Sequence, residues 1–367
     1  MVCYNRNTMR KLASIKQVSA TSPIEGADRI EVTHIDGWNV ITGKGEFKPG
    51  DKVIYFEIDS YLPVDERFEF LRARCYREFS KNGKVFEQGF RIKTMKLRGV
   101  ISQGLVMSPS AFPEIGECEV GDDLTEKLGV RHYDEISAPF IPVKVPCGDK
   151  FSDFPFWIPK TDEERIQNLV EYFDDPVMLD KHFEITEKND GSSCTAFYAP
   201  SKTGGEEDWF GVCSRNMRLK RNPETSKFWS TILKMGIEEK LKKYYDASHI
   251  ELALQGELVG PGIQSNRDLY PDFEWHVFRI WDITHQKFLE PTKRRELCKL
   301  LDIPHVAVID PDCRVFVKFK TCEEMLKFAE GKTVRGNERE GVVFKEINTD
   351  NPITFKAVSN RYLLKQD

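Results

Sequence analysis

A lysine, a carboxylate and a glycine share one short turn near the middle of this chain, Lys188-Asn-Asp-Gly191. Just before it, Phe183 and Ile185 alternate with polar residues, which predicts a strand that enters a tight turn. An unperturbed lysine, with a pKa of about 10.4, becomes a nucleophile only where burial or neighbouring cations lower that value. If Lys188 is a nucleophile, the rest of the chain must supply cations, metal-binding carboxylates and a nucleotide pocket. The tetrapeptide alone would equally suit a solvated turn.

Five further segments follow this turn in a fixed order. They are Cys213–Asn216, His249–Gln264, Trp275–Ile283, Arg339–Lys345 and Phe355–Val358. With the Lys188 turn, they resemble motifs I, Ia, III, IIIa, IV and V of the covalent nucleotidyltransferases, the superfamily of DNA ligases, RNA ligases and mRNA capping enzymes. The stretch Gly256–Gln264 resembles the RNA ligase form of motif III. The chain therefore resembles an ATP-dependent RNA ligase.

Composition indicates an intracellular protein, cytoplasmic or nuclear. The nine cysteines are odd in number and have no paired C-x-x-C spacing, which argues against a disulfide framework and a zinc site. No apolar run approaches the roughly 20 residues of a membrane span, and Met1–Asn7 lacks the apolar core of a signal peptide. The net charge of −5 disfavours a nucleic-acid partner only if the basic residues are spread evenly.

The first part of the chain reads as a small β-barrel. Short apolar strands at 30–32, 38–41 and 52–59 are separated by glycine turns, and residues 9–145 resemble an OB-fold, which binds oligonucleotides. Four basic residues are candidates for nucleic-acid binding or, alternatively, a solvated strand face: Arg91, Lys93, Lys96 and Arg98. Three arginines around Tyr76 are predicted on an inserted loop or helix: Arg72, Arg74 and Arg77.

The fold class is therefore predicted as α+β, with an OB domain at 1–148 and a nucleotidyltransferase domain at 149–367. In the second domain, predicted strands outnumber helices and suggest antiparallel sheets, the ATP-grasp-like arrangement of DNA and RNA ligases. Pro159 predicts a helix capped by Thr161 or Asp162 that carries Ile166 and Tyr172 inward. A long amphipathic helix is predicted over 228–245. Helices near 292–302 and 321–329 are predicted to begin at Thr292 and Thr321.

The resemblance implies a three-step reaction. Lys188 would attack the α-phosphate of ATP and release pyrophosphate, AMP would pass to a 5′-phosphate, and a 3′-hydroxyl would displace it to seal the strand. The residues implied to bind ATP are Glu187, Lys188, Asn189, Gly191, Arg215, Glu257, Trp281, Phe278, Lys345 and Lys356.

Among the cations, the resemblance implies that Lys356 contacts the α-phosphate and that Arg165 contacts the β- and γ-phosphates. Arg165 could instead pair with Asp162 on a helix surface. Lys345 could also reach the α-phosphate, or could be a surface residue after its strand. Arg215 is implied to contact the ribose or the 5′-phosphate of the nicked strand.

Two carboxylates are the metal candidates. Glu340 is implied to orient Mg²⁺ or Mn²⁺ near Lys188, and Glu257 to serve the ribose or the metal's waters, unless both form salt bridges. Trp281-Asp-Ile283 resembles the usual Phe-Asp-Ile of the superfamily, which implies that Trp281 covers adenine, with Phe278 as the competing choice. Asp190 is expected to hold the loop, and His276 to be structural.

Two positions depart from the superfamily pattern. Ser193 stands five residues after Lys188, where many ligases have arginine, and Thr354 stands where motif V often has lysine.

Order separates the remaining alternatives. A DNA ligase or capping enzyme would carry its OB domain after motif V, yet only 11 residues follow Lys356. A noncatalytic OB-fold RNA-binding protein would not explain six ordered motifs. The sequence therefore predicts a monomeric, nick-sealing RNA ligase that acts on nicked duplex RNA or an RNA/DNA hybrid, with no membrane partner.

Overall fold

The chain divides into two compact units. The structure, a computed structural model, describes residues 10–137, 140, 145–350 and 352–365. The first unit holds the described residues up to 140, Gln167–Val170 and the residues from Leu363 onward, and the second holds the remainder. Met1–Asn7, read above as lacking a signal peptide, lies outside the described residues. The domain boundary at 148 stays a prediction.

The first unit is built mainly from short strands. These are β1 (Ala13–Pro23), β2 (Ile30–Ile35), β3 (Trp38–Gly43), β4 (Lys52–Phe56), β5 (Ser60–Leu62), β6 (Tyr76–Lys81), β7 (Lys84–Arg91), β8 (Met95–Leu97), β9 (Val100–Ser102), β10 (Leu105–Met107) and β11 (Arg131–His132), with helices α1 (Arg72–Cys75) and α2 (Tyr133–Ser137). They form sheets ordered β10-β4-β1-β2-β3, β11-β5-β7-β6 and β8-β9. The predicted strands at 30–32, 38–41 and 52–59 correspond to β2, β3 and β4. Arg72 and Arg74 lie on the short helix α1, whereas Arg77 lies on strand β6.

The second unit mixes longer strands with helices. Its strands are β12 (Lys150–Asp153), β13 (Glu164–Arg165), β14 (Phe183–Lys188), β15 (Ser192–Tyr198), β16 (Phe210–Cys213), β17 (Met217–Leu219), β18 (Leu252–Val259), β19 (Glu274–Asp282), β20 (Lys287–Phe288), β21 (Val308–Cys313), β22 (Gly341–Glu346) and β23 (Thr354–Val358). Its helices are α3 (Pro176–Leu179), α4 (Lys227–Lys234), α5 (Ile237–Ser248), α6 (Pro291–Leu300), α7 (Val315–Lys318), α8 (Cys322–Ala329) and α9 (Asn360–Leu363).

Two sheets form the frame of the second unit. One has seven strands in the order β12-β17-β16-β15-β18-β19-β20, and the other has five in the order β13-β23-β22-β14-β21. Every pairing is antiparallel except that of β13 with β23. Helices α4 and α5 cover the core face of the seven-stranded sheet through Trp229, Ile232 and Leu241. The expectation of antiparallel sheets with flanking helices is met.

Three helix predictions need correction. The helix predicted directly after Pro159 is wrong, because Glu164–Arg165 pairs with β23 and short 3₁₀ turns follow at Ile166–Asn168 and Val170–Phe173. The helix predicted over 228–245 is two helices, since Gly236 has a φ of +66° between them.

Capping is the third correction. Glu290, not Thr292, caps α6, and its carboxylate accepts hydrogen bonds from the amides of Thr292 and Lys293. The Thr321 cap of α8 is confirmed.

Candidate active site

Lys188 lies where the chain passes from one sheet to the other. It ends β14 of the five-stranded sheet, opposite Gly341 of β22, and β15 of the seven-stranded sheet begins four residues later. A Cβ on Gly191 would lie 2.5 Å from the Leu258 carbonyl oxygen and 2.7 Å from Cγ of Glu257. The turn can therefore approach β18 this closely only with glycine at position 191. The predicted strand and turn around Lys188 are confirmed.

The Lys188 ammonium faces carboxylates. Its Nζ donates to Oε1 of Glu340 at 2.6 Å. Burial raises the pKa of Glu257 to about 8, against the attraction of Lys188 and with a further rise from Glu340. Burial also raises the pKa of Glu340, although the ion pair with Lys188 opposes it. These two glutamates form the acidic side of the site.

The protonation of Lys188 differs from the expectation of a lowered pKa. Burial alone would lower the pKa of Lys188, but Glu340, Glu257 and Asp190 together raise it above its ordinary value. The described side chains closest to the amine are thus anionic and favour its charged form.

The donor set fits a hard divalent cation. Glu257 and Glu340 are oxygen donors beside Lys188, and burial raises the pKa of both although the charge of Lys188 opposes it. Mg²⁺ is usually held by one or two carboxylates with waters and substrate phosphates. Within the described ranges, no group of three or more histidine, cysteine or acidic residues could hold a metal ion by itself. The arrangement therefore suits a metal that arrives with a phosphate ligand.

The rest of the turn is fixed by side chains from other elements. Oδ1 of Asp190 accepts a hydrogen bond from the Tyr362 hydroxyl at 2.8 Å, and Oδ2 lies 3.7 Å from Nε of Arg267. Asn189 Nδ2 lies 3.0 Å from His276 Nδ1. These contacts support Asp190 as a residue that holds the loop and His276 as structural.

Lys356 and Arg165 are neighbours across the β13–β23 pair. The two residues are register partners, and Arg165 is buried. Lys356 Nζ donates to Oδ1 of Asp162 at 3.0 Å, and Oδ2 of Asp162 lies 3.6 Å from Nη2 of Arg215. Burial lowers the pKa of Lys356, Asp162 opposes that shift, and Arg165 adds to it. Two of the residues implied to contact phosphates, Lys356 and Arg215, thus lie beside Asp162. The third, Arg165, is the register partner of Lys356.

Lys345 lies at the far end of the β14–β22 pair from Lys188. It is opposite Glu184 in register and only 4% exposed, so the surface alternative for Lys345 is wrong. Burial, with the nearby guanidinium of Arg294, lowers the pKa of Lys345 to about 7. Both Lys345 Nζ and Arg294 Nη1 donate to the carbonyl oxygen of Phe278.

Phe278 and Trp281, the two candidates for adenine contact, have different neighbours. The pairing register of β19 shifts beside Phe278, and its ring centroid lies 5.5 Å from Nζ of Lys345. The Trp281 indole donates to the carbonyl oxygen of Trp157 at 3.1 Å and packs edge-on against Phe288. Trp281 is therefore engaged in a small apolar cluster, whereas Phe278 adjoins the buried lysine.

Glu187 points away from the Lys188 side chain. Successive residues of a strand face opposite sides of the sheet, and Oε1 of Glu187 accepts a hydrogen bond from the amide of Val334 at 2.7 Å. The carboxylate of this predicted ATP-binding residue therefore supports the segment before β22.

The four basic candidates of the first unit are not equivalent. Arg91 has its guanidinium 4.1 Å from the ring centroid of Tyr133 and 4.0 Å from Asp59. Lys93 is half-buried, whereas Lys96 and Arg98, on and beside the β8–β9 hairpin, are exposed. Only the hairpin pair is presented fully to solvent.

Sequence reasoning assigned no role to several side chains of the site. Arg279 lies 3.6 Å from Glu163, and Lys345, Arg279 and Lys356 outweigh burial to lower the pKa of Glu163. Arg267 lies over the Tyr362 ring at 4.3 Å. Arg279 lies within the recognised segment Trp275–Ile283, but its role, like that of Arg267, depends on a partner distant in sequence.

Two family models match the chain. A model of an OB-fold domain matches residues 12–109, and a model described as RNA ligase matches residues 181–360. The search of curated proteins found no match.

Solved structures of Naegleria gruberi RNA ligase match almost the whole chain. A variant with AMP and manganese and another with ATP and manganese are each 35% identical, with a TM-score of 0.84, over 97% of this chain and 99% of theirs. The same enzyme with pyrophosphate is 36% identical, with the same TM-score and coverage. The predicted fold, an N-terminal OB-fold followed by a sheet-rich ligase domain, is confirmed.

Proposed function

This chain belongs to the RNA ligase family, and on that premise we propose that it seals nicks through an AMP carried on Lys188. Its family membership and structural match make the chain an ATP-dependent RNA ligase. Separate structures of the related enzyme from Naegleria gruberi contain ATP with manganese, AMP with manganese, or pyrophosphate. What remains to be proposed is the nucleophile, the roles of its neighbours and the form of the RNA.

In the first step, Nζ of Lys188 attacks the α-phosphorus of ATP. A nitrogen–phosphorus bond forms, the bond from the α-phosphorus to the oxygen bridging to the β-phosphate breaks, and pyrophosphate leaves. The protonated amine gives up two protons, one before it attacks and one as the nitrogen–phosphorus bond forms, and these pass to solvent or to the departing pyrophosphate, so that one hydrogen stays on the nitrogen. The observation that carries this assignment is the position of Lys188, which ends a strand against two partly buried carboxylates on a turn fixed by Gly191 and Asp190.

In the second and third steps, AMP moves to the strand and then leaves it. An oxygen of the strand's 5′-phosphate attacks the AMP phosphorus and displaces Lys188. The 3′-hydroxyl then attacks the adenylylated 5′-phosphate, a phosphodiester forms, and AMP leaves. Each step gathers negative charge on phosphate oxygens, so the protein contributes mainly positioning and electrostatic stabilisation.

Glu257 and Glu340 are proposed to hold the divalent metal, in part through water. When bound, the metal would supply positive charge beside the phosphates and would favour the neutral amine of Lys188. Before ATP arrives, Glu340 serves as the counter-ion of Lys188 and keeps it protonated. The same carboxylate thus links the protonation of the nucleophile to occupation of the site.

Lys356, Arg165 and Arg215 are proposed to bind phosphates. Lys356 and Arg165 lie side by side on paired strands, with burial weakening the hold of Lys356 on its proton. A phosphate would replace Asp162 as the partner of Lys356 and Arg215. Since Asp162 is only partly buried, the exchange needs no disruption of the core.

Phe278 is the better-supported candidate for adenine contact, since Trp281 already packs in an apolar cluster. Lys345 holds the Phe278 carbonyl and is proposed to position that ring, with α-phosphate contact as its alternative role. In the OB-fold domain, Lys96 and Arg98 are proposed to contact the RNA backbone, with Lys93 in support and Arg91 as a positioning residue.

Labelling and sealing test the proposal together. Incubation with α-³²P-ATP and Mg²⁺ or Mn²⁺ should label the protein through an acid-labile, alkali-stable bond, and a nicked duplex should then discharge the label. Preferential labelling by GTP would instead favour a capping enzyme. Sealing of nicks with each of the four RNA/DNA combinations at the two ends would define the substrate, and sealing of DNA ends alone would contradict the RNA assignment.

The OB-fold contribution has its own measurement. Each lost phosphate contact should lower the slope of log affinity against log salt by about one unit. The double substitution Lys96→Ala/Arg98→Ala should therefore reduce that slope by about two units while label formation is unchanged. An unchanged slope would remove the hairpin from the RNA interface.

A further inference from the structure

Two loops meet beside the Lys188 turn, and the proposed reaction gives neither of them a role. The first, residues 264–270, follows β18, and the second, residues 332–337, precedes β22. Thr333 Oγ1 donates to Oδ1 of Asp268 at 2.6 Å, and Arg335 Nε donates to the Asp268 carbonyl oxygen at 2.9 Å. The Arg335 guanidinium also lies 4.4 Å from the ring centroid of Tyr270. The two loops are thus fastened together, and we refer to them as the paired loops.

Both loops are anchored to residues of the nucleophile segment. From the first loop, Gln264 Nε2 donates to the Gly191 carbonyl oxygen at 3.3 Å, and Arg267 pairs with Asp190. From the second, the amide of Val334 donates to Glu187. Whatever contacts the paired loops is therefore held in a defined position relative to Lys188.

The paired loops present two apolar side chains to solvent. Leu269 is 72% exposed and Val334 is 75% exposed, and each directly follows a residue of the Asp268–Thr333 hydrogen bond. Folding gains nothing from such exposure, because neither side chain is removed from water. Both side chains are therefore exposed next to the hydrogen bond that joins the two loops.

The backbone of the first loop is also strained. Gln264, Asn266 and Leu269 all have positive φ, of 45°, 40° and 53°. Asparagine tolerates this region, but for leucine it is a genuine outlier, and such strain concentrates at ligand clamps. The native structure therefore holds Leu269 in a strained backbone conformation in which its side chain is exposed to solvent.

We propose that Leu269 and Val334 form a contact surface for the RNA strand end that is delivered to Lys188. This inference rests on the proposed function and adds the position of the strand to it. Apolar side chains commonly pack against bases or between base steps. The paired loops also carry three cations, Arg267, Arg335 and Lys332, whose positive charge suits an RNA backbone. ATP is the less suitable occupant, because its proposed contacts are with Lys188, Lys345 and Lys356, none of which belongs to the paired loops.

Leu269→Gly is the sharpest test, since glycine accepts the positive φ and removes the side chain without new strain. Leu269→Asn, which also tolerates that φ, keeps a side chain but makes it polar. Each would be combined with Val334→Ser and assayed on an RNA nick with a chemically adenylylated 5′ end, which needs no ATP. We expect the KM for this nick to rise about five- to tenfold, with the rate of label formation from ATP unchanged.

Leu300→Ser is the matched control, because Leu300 is 73% exposed at the end of α6. It should leave both assays unchanged. An unchanged KM in both combined variants would overturn the proposal and favour a protein partner at this surface. Equal loss of label formation and sealing would also overturn it, since the loops would then serve the ATP site.

Failure of the proposed function would look different, because the wild-type protein itself would then form no label and seal no nick.

Discussion

The two ends of the β14–β22 strand pair hold lysines in opposite electrostatic environments, and Lys188 is partly exposed whereas Lys345 is buried. At the outer end, Lys188 faces Glu340 and Glu257, and its pKa is raised. At the inner end, Lys345 lies opposite Glu184 but beside Arg294, and its pKa is lowered to about 7. Burial favours the neutral amine in both places. The balance of nearby carboxylates and guanidinium groups decides the outcome.

The difference teaches that a nucleophilic lysine need not be recognised by a lowered pKa in the protein alone. Lys345 has the lowered pKa, yet it is hydrogen-bonded to the carbonyl of Phe278 and lies at the inner end of the strand pair. Lys188 has the raised pKa and ends on an open turn between two sheets. A perturbed pKa is therefore a pointer to the site and not an assignment of its roles.

Substitution of the two lysines should have the largest and clearest effect. Lys188→Ala removes the only atom proposed to bond to AMP, so the label from α-³²P-ATP should be lost completely. Lys345→Met should retain measurable label, because Lys345 only positions or neutralises charge. Autoradiography after acid and alkali treatment gives the measurement. Persistent label in Lys188→Ala would reverse the roles of the two ends.

Removal of the Glu340 carboxylate, at the outer end of the strand pair, should have the second-largest effect on label formation. Glu340→Gln keeps the shape but loses a preorganised charge, so label formation should slow on the order of 10² to 10³. Because Glu340 raises the pKa of Lys188, the variant's rate should reach its plateau at lower pH than wild type. The measurement is the single-turnover rate from pH 6 to 10 at subsaturating Mn²⁺. A near wild-type rate there would exclude Glu340 from the site.

Lys345→Met should reveal the inner end through stability. The folded pKa of Lys345 is about 7, against about 10.4 unfolded. Between these values the unfolded chain binds more protons, so the wild-type free energy of unfolding rises with pH by up to about 1.4 kcal/mol per unit from this group. Methionine does not titrate, so this contribution to the pH dependence is absent from the variant. Relative to wild type, the variant's free energy of unfolding should therefore be highest below pH 7 and should fall towards pH 10. Urea unfolding at several pH values measures this difference, and a pH-independent one would contradict the burial of a titrating Lys345.

The smallest effect separates the two aromatic candidates. If the inner end receives adenine, Phe278→Leu should raise the KM for ATP in label formation by about fivefold, since base stacking is typically worth about 1–3 kcal/mol. Trp281→Leu should change that KM less and instead lower the melting temperature, because Trp281 packs with Phe288 and Trp157. The reverse pattern would restore Trp281 as the adenine contact.

Sequence alone determined the local features. The alternation around Phe183 and Ile185 predicted β14, and Gly191 predicted the turn that follows, because glycine is needed where backbones approach closely. The order of the six motifs indicated the RNA ligase family, and the short strands and glycine turns within residues 9–145 indicated an OB-fold before them. Among the described residues, no helix is both long and apolar enough to cross a membrane.

Tertiary structure decided what depends on distant partners. The sequence after Pro159 has the capping residues and acidic first turn of a helix, yet Glu164–Arg165 forms a strand paired with β23. Helix propensity is a small energy, and the tertiary pairing outweighs it. The sequence could not reveal that Lys345 is buried. The raised pKa of Lys188 likewise depends on Glu340, 152 positions away. Motifs fix which groups are present, but their charges depend on burial and neighbours, which exist only once the chain has folded.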